Sequence, residues 1–170
     1  MGCGKNHSGS GSSGECVCDV VRAILDIQNQ AVDEECGPCT TNCFLEPLGG
    51  IVSPVRTSNA DTRVFMLLTK TGAPFMAFFN SENTAPDFCT SVFFRVEDMF
   101  DDCCATLRVL EPEDESGATV NLLNSNCDAI NMNALCDVVD WEATGSCITV
   151  DLSCFCAVQC IEDVDLGICD

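Results

Sequence analysis

The longest apolar run in the chain lies near its C-terminus, at residues 147–160, and reads CITVDLSCFCAVQC. Its apolar side chains recur at every second position, which is typical of a β-strand with one buried face. Cysteine is among the most buried residue types even as a thiol, so the pattern predicts that Cys154, Cys156 and Cys160 belong to the core. A disulfide between Cys154 and Cys156 is not expected, because residues two apart on a strand lie about 6.5–7 Å apart at Cα.

Cysteine makes up 16 of the 170 residues, a density found in disulfide-rich secreted proteins. The N-terminal sequence MGCGKNHSGSGSSG nevertheless lacks the apolar segment of a secretory signal, which predicts synthesis in the cytosol. Disulfides do not persist in that reducing compartment. The cysteines are therefore expected to bind metal, to be buried as thiols, or to be oxidised at a later stage. No apolar run reaches the roughly 18 residues of a membrane-spanning helix, so no membrane span is expected.

The net charge of −20, from 27 acidic against 7 basic residues, limits the partners that the chain can have. Nucleic acids and anionic membranes bind basic surfaces, so neither is expected as a partner. The ordinary interpretation of so many carboxylates is a solvated, self-repelling surface. The alternative that the residues leave open is a surface that binds counter-cations.

A chain of this length fits a single domain, and its 46% hydrophobic residues can fill a core. Ser12 and Glu15 have the spacing of a helix capping box, and Val17, Val21 and Ile24 follow on one side at helical spacing. A later Gly-Pro pair ends the helix. The predicted organisation is a flexible Gly/Ser-rich arm at 1–14, an amphipathic helix at 15–36, a Cys-rich loop at 37–50 and a β-rich core at 51–170.

The β-rich part contains several short apolar stretches separated by turn residues. Residues 64–69 and 73–79 flank a Thr-Lys-Thr-Gly turn and predict one hairpin, and residues 91–98 and 104–110 flank an acidic turn and predict a second. Residues 118–123 predict a further strand. About six short strands at close spacing predict a mainly β fold, with a sandwich or jelly-roll-like core and the N-terminal helix packed outside it.

The motif CGPC at residues 36–39 has the sequence of the thioredoxin redox centre. That chemistry requires the first thiol at the N-terminus of a helix, where the helix dipole favours the thiolate. Here the motif follows a helix and two glutamates, and the βαβ context is missing. A histidine-assisted thiol would depend on His7, which is predicted to lie on the flexible arm. No catalytic residue is therefore predicted, and the chain is not expected to be an enzyme.

A zinc site is the competing interpretation of the cysteines. Cys36, Cys39 and Cys43 supply three thiolates at ligand spacing, and the fourth ligand would come from Cys16 and Cys18 or from the pair at 103–104. Structural zinc sites generally contain two paired Cys-x2-Cys units, and this chain has one. A zinc-binding, cysteine-rich adaptor module is therefore the alternative function, and the main interpretation includes no metal and no cofactor.

Seven further cysteines lie outside the predicted core, on or near the arm, after the helix, and at the C-terminus. Exposed thiols are a liability in a soluble monomer, whereas in a covalent assembly they link the subunits. These residues are the candidates for cross-links between copies, and they comprise Cys3, Cys16, Cys18, Cys36, Cys39, Cys43 and Cys169.

Five sequence blocks resemble a known family: MGCGKNH, ECVCDVVRAIL, SVFFRVED, CCATLRVL and CITVDLSCFCAVQCI. They are similar to the spore coat protein Y/Z family of endospore-forming bacteria, to which exosporium protein Y also belongs. The resemblance covers nearly the whole chain, and its C-terminal block is the most specific part. Residues 37–63 and 111–146 match little beyond scattered cysteines.

The resemblance implies a structural protein of the spore coat or exosporium. Members are made in the mother-cell cytoplasm without a signal peptide and form ordered, disulfide-cross-linked sheets. The expected partners are further copies of the chain, in a hexagonal-type sheet, and other coat or exosporium proteins. No small-molecule substrate is implied. Lysis of the mother cell would then expose reduced thiols to an oxidising environment.

Overall fold

The structure is a computed structural model that describes residues 16–30, 60–80, 88–100 and 103–168. The predicted arm at 1–14 and Cys-rich loop at 37–50 lie outside these residues. Within them, no helix is long and apolar enough to cross a membrane. The elements in chain order are α1 Cys16–Gln30, β1 Thr62–Thr69, β2 Ala77–Asn80, β3 Phe88–Ser91, β4 Phe94–Phe100, β5 Cys104–Glu113, β6 Asp140–Asp151 and β7 Phe155–Val164, with 3₁₀-helices at Ala134–Asp137 and Leu152–Cys154.

The helix α1 packs through the face that its apolar periodicity predicts. Val17, Val21 and Ile24 are buried, and they recur at the three- to four-residue spacing that places side chains on one face. Gln28, one turn further on, is also buried and joins two strands: its amide nitrogen donates to the Val96 carbonyl, and its oxygen accepts the N–H of residue 63. The predicted extension of the helix through residues 31–36 lies outside the described part of the chain.

Five strands form one antiparallel sheet in the order β6-β5-β4-β1-β7, and β2 pairs with β3 in a separate ribbon. The edge strands β6 and β7 are joined only by the 3₁₀-helix Leu152–Cys154. Four Cα steps span at most about 15 Å, whereas the edges of a flat five-stranded sheet lie about 19 Å apart. The sheet must therefore curl. β1 and β4 meet at the single pair Phe65 and Phe94, which is where its two halves diverge.

The inner sides of the two halves share one hydrophobic core with α1 and β2. Its centre is aromatic, because the ring of Phe94 lies next to the rings of Phe65 and Phe75, and Phe155 packs edge-on against Phe75. A second cluster lies on the opposite side of the sheet, where Trp141 packs against Phe93. The arrangement confirms the predicted mainly β fold with an N-terminal amphipathic helix, and its core is sandwich-like.

The two predicted hairpins have different outcomes. β4 and β5 form the second hairpin as predicted. The first has its predicted turn, in which the N–H of Gly72 donates to Thr69, but after one bridge at Pro74 the chain leaves β1 and forms β2, which pairs with β3. Both edges of β1 are already occupied by β4 and β7. The strand predicted at residues 118–123 is wrong, because that segment makes only isolated bridges across the second core cluster.

Candidate functional site

A disulfide joins Cys18 of α1 to Cys103, the residue before β5, across 85 positions of sequence. Cys18 is 1% exposed, because it lies on the helix face that packs against the sheet. The prediction that Cys18 links two copies is therefore wrong for this folded state. The same bond removes Cys18 and Cys103 from the thiolates that the zinc alternative requires, since a disulfide sulfur is no longer a thiolate ligand.

The three predicted core cysteines have different surroundings. Cys154 and Cys160 are half-buried and disulfide-bonded, and Cys160 packs against the first core cluster. Cys156 is exposed, so its predicted place in the core is wrong. The pairing of β1 with β7 skips Cys156, which makes it the extra residue of a β-bulge. A bulge interrupts the alternation of side chains, and here it turns the thiol outward, where it contacts the Thr69 carbonyl at 2.9 Å.

Four thiols are exposed in the described part of the chain, and the sequence pattern did not identify them as surface groups. They are Cys127 in a loop, Cys136 on the 3₁₀-helix Ala134–Asp137, Cys147 on β6 and Cys156 on β7. Polar neighbours were the available signal for the first two, because Cys127 lies in the run NSNCD and Cys136 is followed by aspartate. Cys127 also has a φ of 56°, in the left-handed region that suits exposed turns.

The other predicted cross-linking cysteines are not placed by the structure. Cys3, Cys36, Cys39, Cys43 and Cys169 lie outside the described residues. Cys16 begins α1, and its side chain also lies outside them. Among the side chains that are described, no group of three or more His, Cys, Asp or Glu residues is arranged to hold a metal ion.

The basic side chains of the sheet are bonded to internal partners. Arg63 and Asp163 face each other on β1 and β7 and form a bidentate ion pair, with Nε–Oδ1 at 2.7 Å and Nη2–Oδ2 at 2.8 Å. Both side chains are 0% exposed. Arg108 donates through Nε to Glu97 at 2.6 Å, and this hydrogen bond raises the pKa of Arg108. Cations that are held internally leave the carboxylates to dominate the surface.

Asp61 anchors the C-terminal end of the described chain. Its carboxylate accepts the N–H groups of Leu166 at 3.0 Å and Ile168 at 2.9 Å. Burial alone would raise the pKa of Asp61, but these two N–H groups, the Thr62 hydroxyl and the nearby Arg95 together lower it. The carboxylate therefore stays ionised. In sequence, this fixed segment directly precedes the predicted cross-linking residue Cys169.

A row of carboxylates crosses the pair β5–β6. Glu111 lies opposite Glu142, and Glu113 lies opposite Asp140, so like charges face each other directly. Such pairs destabilise a sheet. Desolvation by burial, followed by the charges of Glu142, Asp140 and Glu111, raises the pKa of Glu113. The row therefore opposes folding when it is fully ionised.

We expect Glu113→Gln to stabilise the protein at neutral pH and to flatten its pH dependence. Because the pKa of Glu113 is raised in the folded state, the folded protein binds more protons than the unfolded chain, and stability rises as the pH falls through that pKa towards the ordinary glutamate value. The variant removes this contribution. Urea midpoints from neutral to mildly acidic pH measure it, with Glu115→Gln, an exposed glutamate in the next loop, as the control. Parallel pH profiles for Glu113→Gln and wild type would contradict the assignment.

The position of Cys156 predicts a labelling pattern for the native protein. Iodoacetamide should modify Cys156 and the exposed reference thiol Cys127 at least roughly tenfold faster than the half-buried Cys104. The disulfide-bonded Cys18 and Cys103 should react only after reduction. Time-resolved mass spectrometry of peptides measures all five rates in one sample. If Cys156 were labelled as slowly as Cys104, its side chain would point inward as the sequence predicts, and the bulge at this position would be wrong.

The comparisons with known proteins extend over almost the whole chain. The model of the family described as spore coat protein Z matches residues 1–163. Spore coat protein Z of Bacillus subtilis (strain 168) is 36% identical over 154 residues, which cover 89% of this chain and 92% of that protein. No solved structure matches the chain significantly. The matched region includes α1, the first core cluster and the exposed thiols, and the chain belongs to the spore coat protein Z family.

Proposed function

We propose that the protein is a non-enzymatic structural component of the spore coat or exosporium. In this role it assembles with further copies of itself into an ordered two-dimensional lattice that disulfides cross-link into a protective layer. The family supports the location and the structural role, since its curated member from Bacillus subtilis is named a spore coat protein. Other coat or exosporium proteins are further proposed partners.

The observation that carries the proposal is the placement of the exposed thiols. Cys127, Cys136, Cys147 and Cys156 lie on different elements of the folded surface. A single exposed thiol would yield covalent dimers, whereas thiols at several places allow one copy to be linked to several neighbours. Surface thiols in this number are also a feature that a monomeric protein would avoid.

The order of events follows from the chemistry of the compartment. In the mother-cell cytoplasm the thiols are kept reduced, so the first contacts between copies are non-covalent. Those contacts bring cysteines of neighbouring copies to the Cα separation of about 4.4–6.8 Å that a disulfide requires. Oxidation after lysis of the mother cell then locks the lattice, because neighbouring thiols are present at a high local concentration.

Isotope-mixed disulfide mapping tests the covalent part of this proposal. Unlabelled and ¹⁵N-labelled protein are mixed while reduced, allowed to assemble and oxidise, and digested without reductant. Disulfide peptides that contain one light and one heavy partner then identify links between copies. We expect mixed pairs at the four exposed cysteines and uniform pairs at Cys18–Cys103. If every disulfide of the assembled protein is uniform, the lattice contains no covalent links and the proposal is wrong in that respect.

A further inference from the structure

The outer side of β2 presents an unusually exposed aromatic side chain. Ala77 and Phe79 point into the core, whereas Phe78 and Met76 point outward and are 71% and 40% exposed. Lys70 lies exposed in the turn between β1 and β2. We call Phe78 and Met76 together the Phe78 face, and the exposed Lys70 precedes it in the chain. Exposed apolar side chains that lie side by side are typical of a contact surface.

The Phe78 face belongs to the longest stretch of the chain without a carboxylate side chain. Residues 62–81 contain no aspartate or glutamate, although the chain has 27 of them. Lys70 takes part in none of the ion pairs formed by the described residues. Two copies that each carry a charge of −20 repel each other. A segment that contributes no carboxylate and carries an exposed cation adds less to this repulsion than the acidic segments of the chain, and it is therefore a favourable place for a second copy to approach.

A complementary surface lies in the segment that covers the second core cluster. It is an open groove of about 500 Å³. We call it the Val139 groove, and its lining combines apolar and acidic side chains: Val120, Val139 and Cys136 with Ser116, Asp114, Glu115 and Asp137. Val139 is 41% exposed there. Met132, which is 65% exposed, lies beside the groove, since its carbonyl accepts the Cys136 thiol at 3.9 Å.

We propose that the Phe78 face of one copy docks in the Val139 groove of a second copy. The inference rests on the proposed self-assembly and deepens it by naming the contact. In this contact, apolar side chains meet apolar side chains, and Lys70 meets the three carboxylates that line the groove. Among the side chains that the structure describes, four of the five exposed large hydrophobic residues lie on or beside these two surfaces, and Phe100 is the exception. Because the two surfaces differ, a docked pair still offers one free face and one free groove, so the same contact adds further copies in a ring or an open chain.

Two variants test this contact by complementation. Phe78→Glu damages the face and leaves the groove intact, and Val139→Arg damages the groove and leaves the face intact. Each variant alone should remain monomeric under conditions in which wild type assembles. An equimolar mixture should form a heterodimer and nothing larger, because only one intact face and one intact groove can meet. Phe100→Glu, at an exposed aromatic outside both surfaces, should assemble like wild type. Analytical ultracentrifugation distinguishes these species.

Several results would overturn the contact. They are assembly of either variant alone like wild type, a mixture that stays monomeric, and homodimers of Val139→Arg, which would indicate that the Phe78 faces pair with each other. If wild type assembles in these cases, the proposed function stands without this interface. If wild type itself stays monomeric, the proposed self-assembly fails too.

A photo-crosslinker provides a measurement that does not depend on a disruptive charge. p-Benzoylphenylalanine is incorporated at position 78, or at position 100 as the control, and light and ¹⁵N-labelled copies are mixed before irradiation. We expect position 78 to give mixed-isotope cross-links to residues 114–139, and position 100 to give none there. Mixed-isotope cross-links from position 78 that map only to other regions would place the contact elsewhere and contradict the proposal.

Discussion

Replacing Asp163 by asparagine should lower the free energy of unfolding by about 3–5 kcal/mol. The Arg63 guanidinium that faces Asp163 is 0% exposed, and the substitution removes a carboxylate that it contacts through two hydrogen bonds in the interior of the sheet. Removing one partner of a buried ion pair costs far more than the pair itself contributes, because desolvation offsets most of the attraction within the pair. Equilibrium unfolding in urea measures the difference.

Two further variants isolate the cause. Arg63→Met combined with Asp163→Leu removes both charges and should recover much of the lost stability, because apolar side chains of similar volume replace a buried pair at little cost. Glu97→Gln weakens the partly exposed ion pairs with Arg95 and Arg108 and should cost less, about 1–2 kcal/mol. A loss for Asp163→Asn that is no larger than the loss for Glu97→Gln would contradict the assignment of Asp163 as the main counter-charge of Arg63.

Removing the disulfide between α1 and β5 should lower the free energy of unfolding by about 2–4 kcal/mol. The variant Cys18→Ala with Cys103→Ala eliminates both sulfurs and buries no unsatisfied polar group. The bond closes a loop across 85 positions, so its loss frees the unfolded chain considerably. The face formed by Val17, Val21 and Ile24 still packs against the sheet, and helical content should therefore persist.

The control for the disulfide is Cys127→Ala, at an exposed thiol, which should change stability by no more than about 0.5 kcal/mol. Unfolding is followed in denaturant without reductant. Equal stability of the double variant and wild type would contradict the account, since the disulfide would then not hold α1 against the sheet. A loss of helical signal in the double variant would show instead that the apolar face alone does not retain the helix.

The sequence predicted those elements that depend on residues close together in the chain. The apolar face of α1 follows from helical spacing, and the hairpin β4–β5 follows from two apolar stretches around an acidic turn. The bulge at Cys156 could not be predicted in this way, because it depends on how β7 aligns with β1, about 90 residues earlier. In the sequence, apolar side chains continue to alternate through Cys156, although the structure has a bulge there.

The long-range pairs have no local signature. Cys18 bonds to Cys103, and Arg63 bonds to Asp163 across 100 positions, only because the sheet order places them together. With sixteen cysteines, the number of possible pairings is too large for spacing to select one. The exposure of Phe78 could not be predicted either, because an aromatic residue in an apolar stretch is normally buried. Phe78 points outward because β2 leaves β1 and pairs with β3.

Electron microscopy of the purified chain, alone and in the presence of reductant, tests the central claim most directly. We expect regular sheets with no added partner, metal or cofactor. Reductant should leave those sheets visible but make them dissolve at lower denaturant concentration, because non-covalent contacts form the lattice and disulfides lock it. Unassembled particles in every field, at every protein concentration and in both redox states, would contradict this claim.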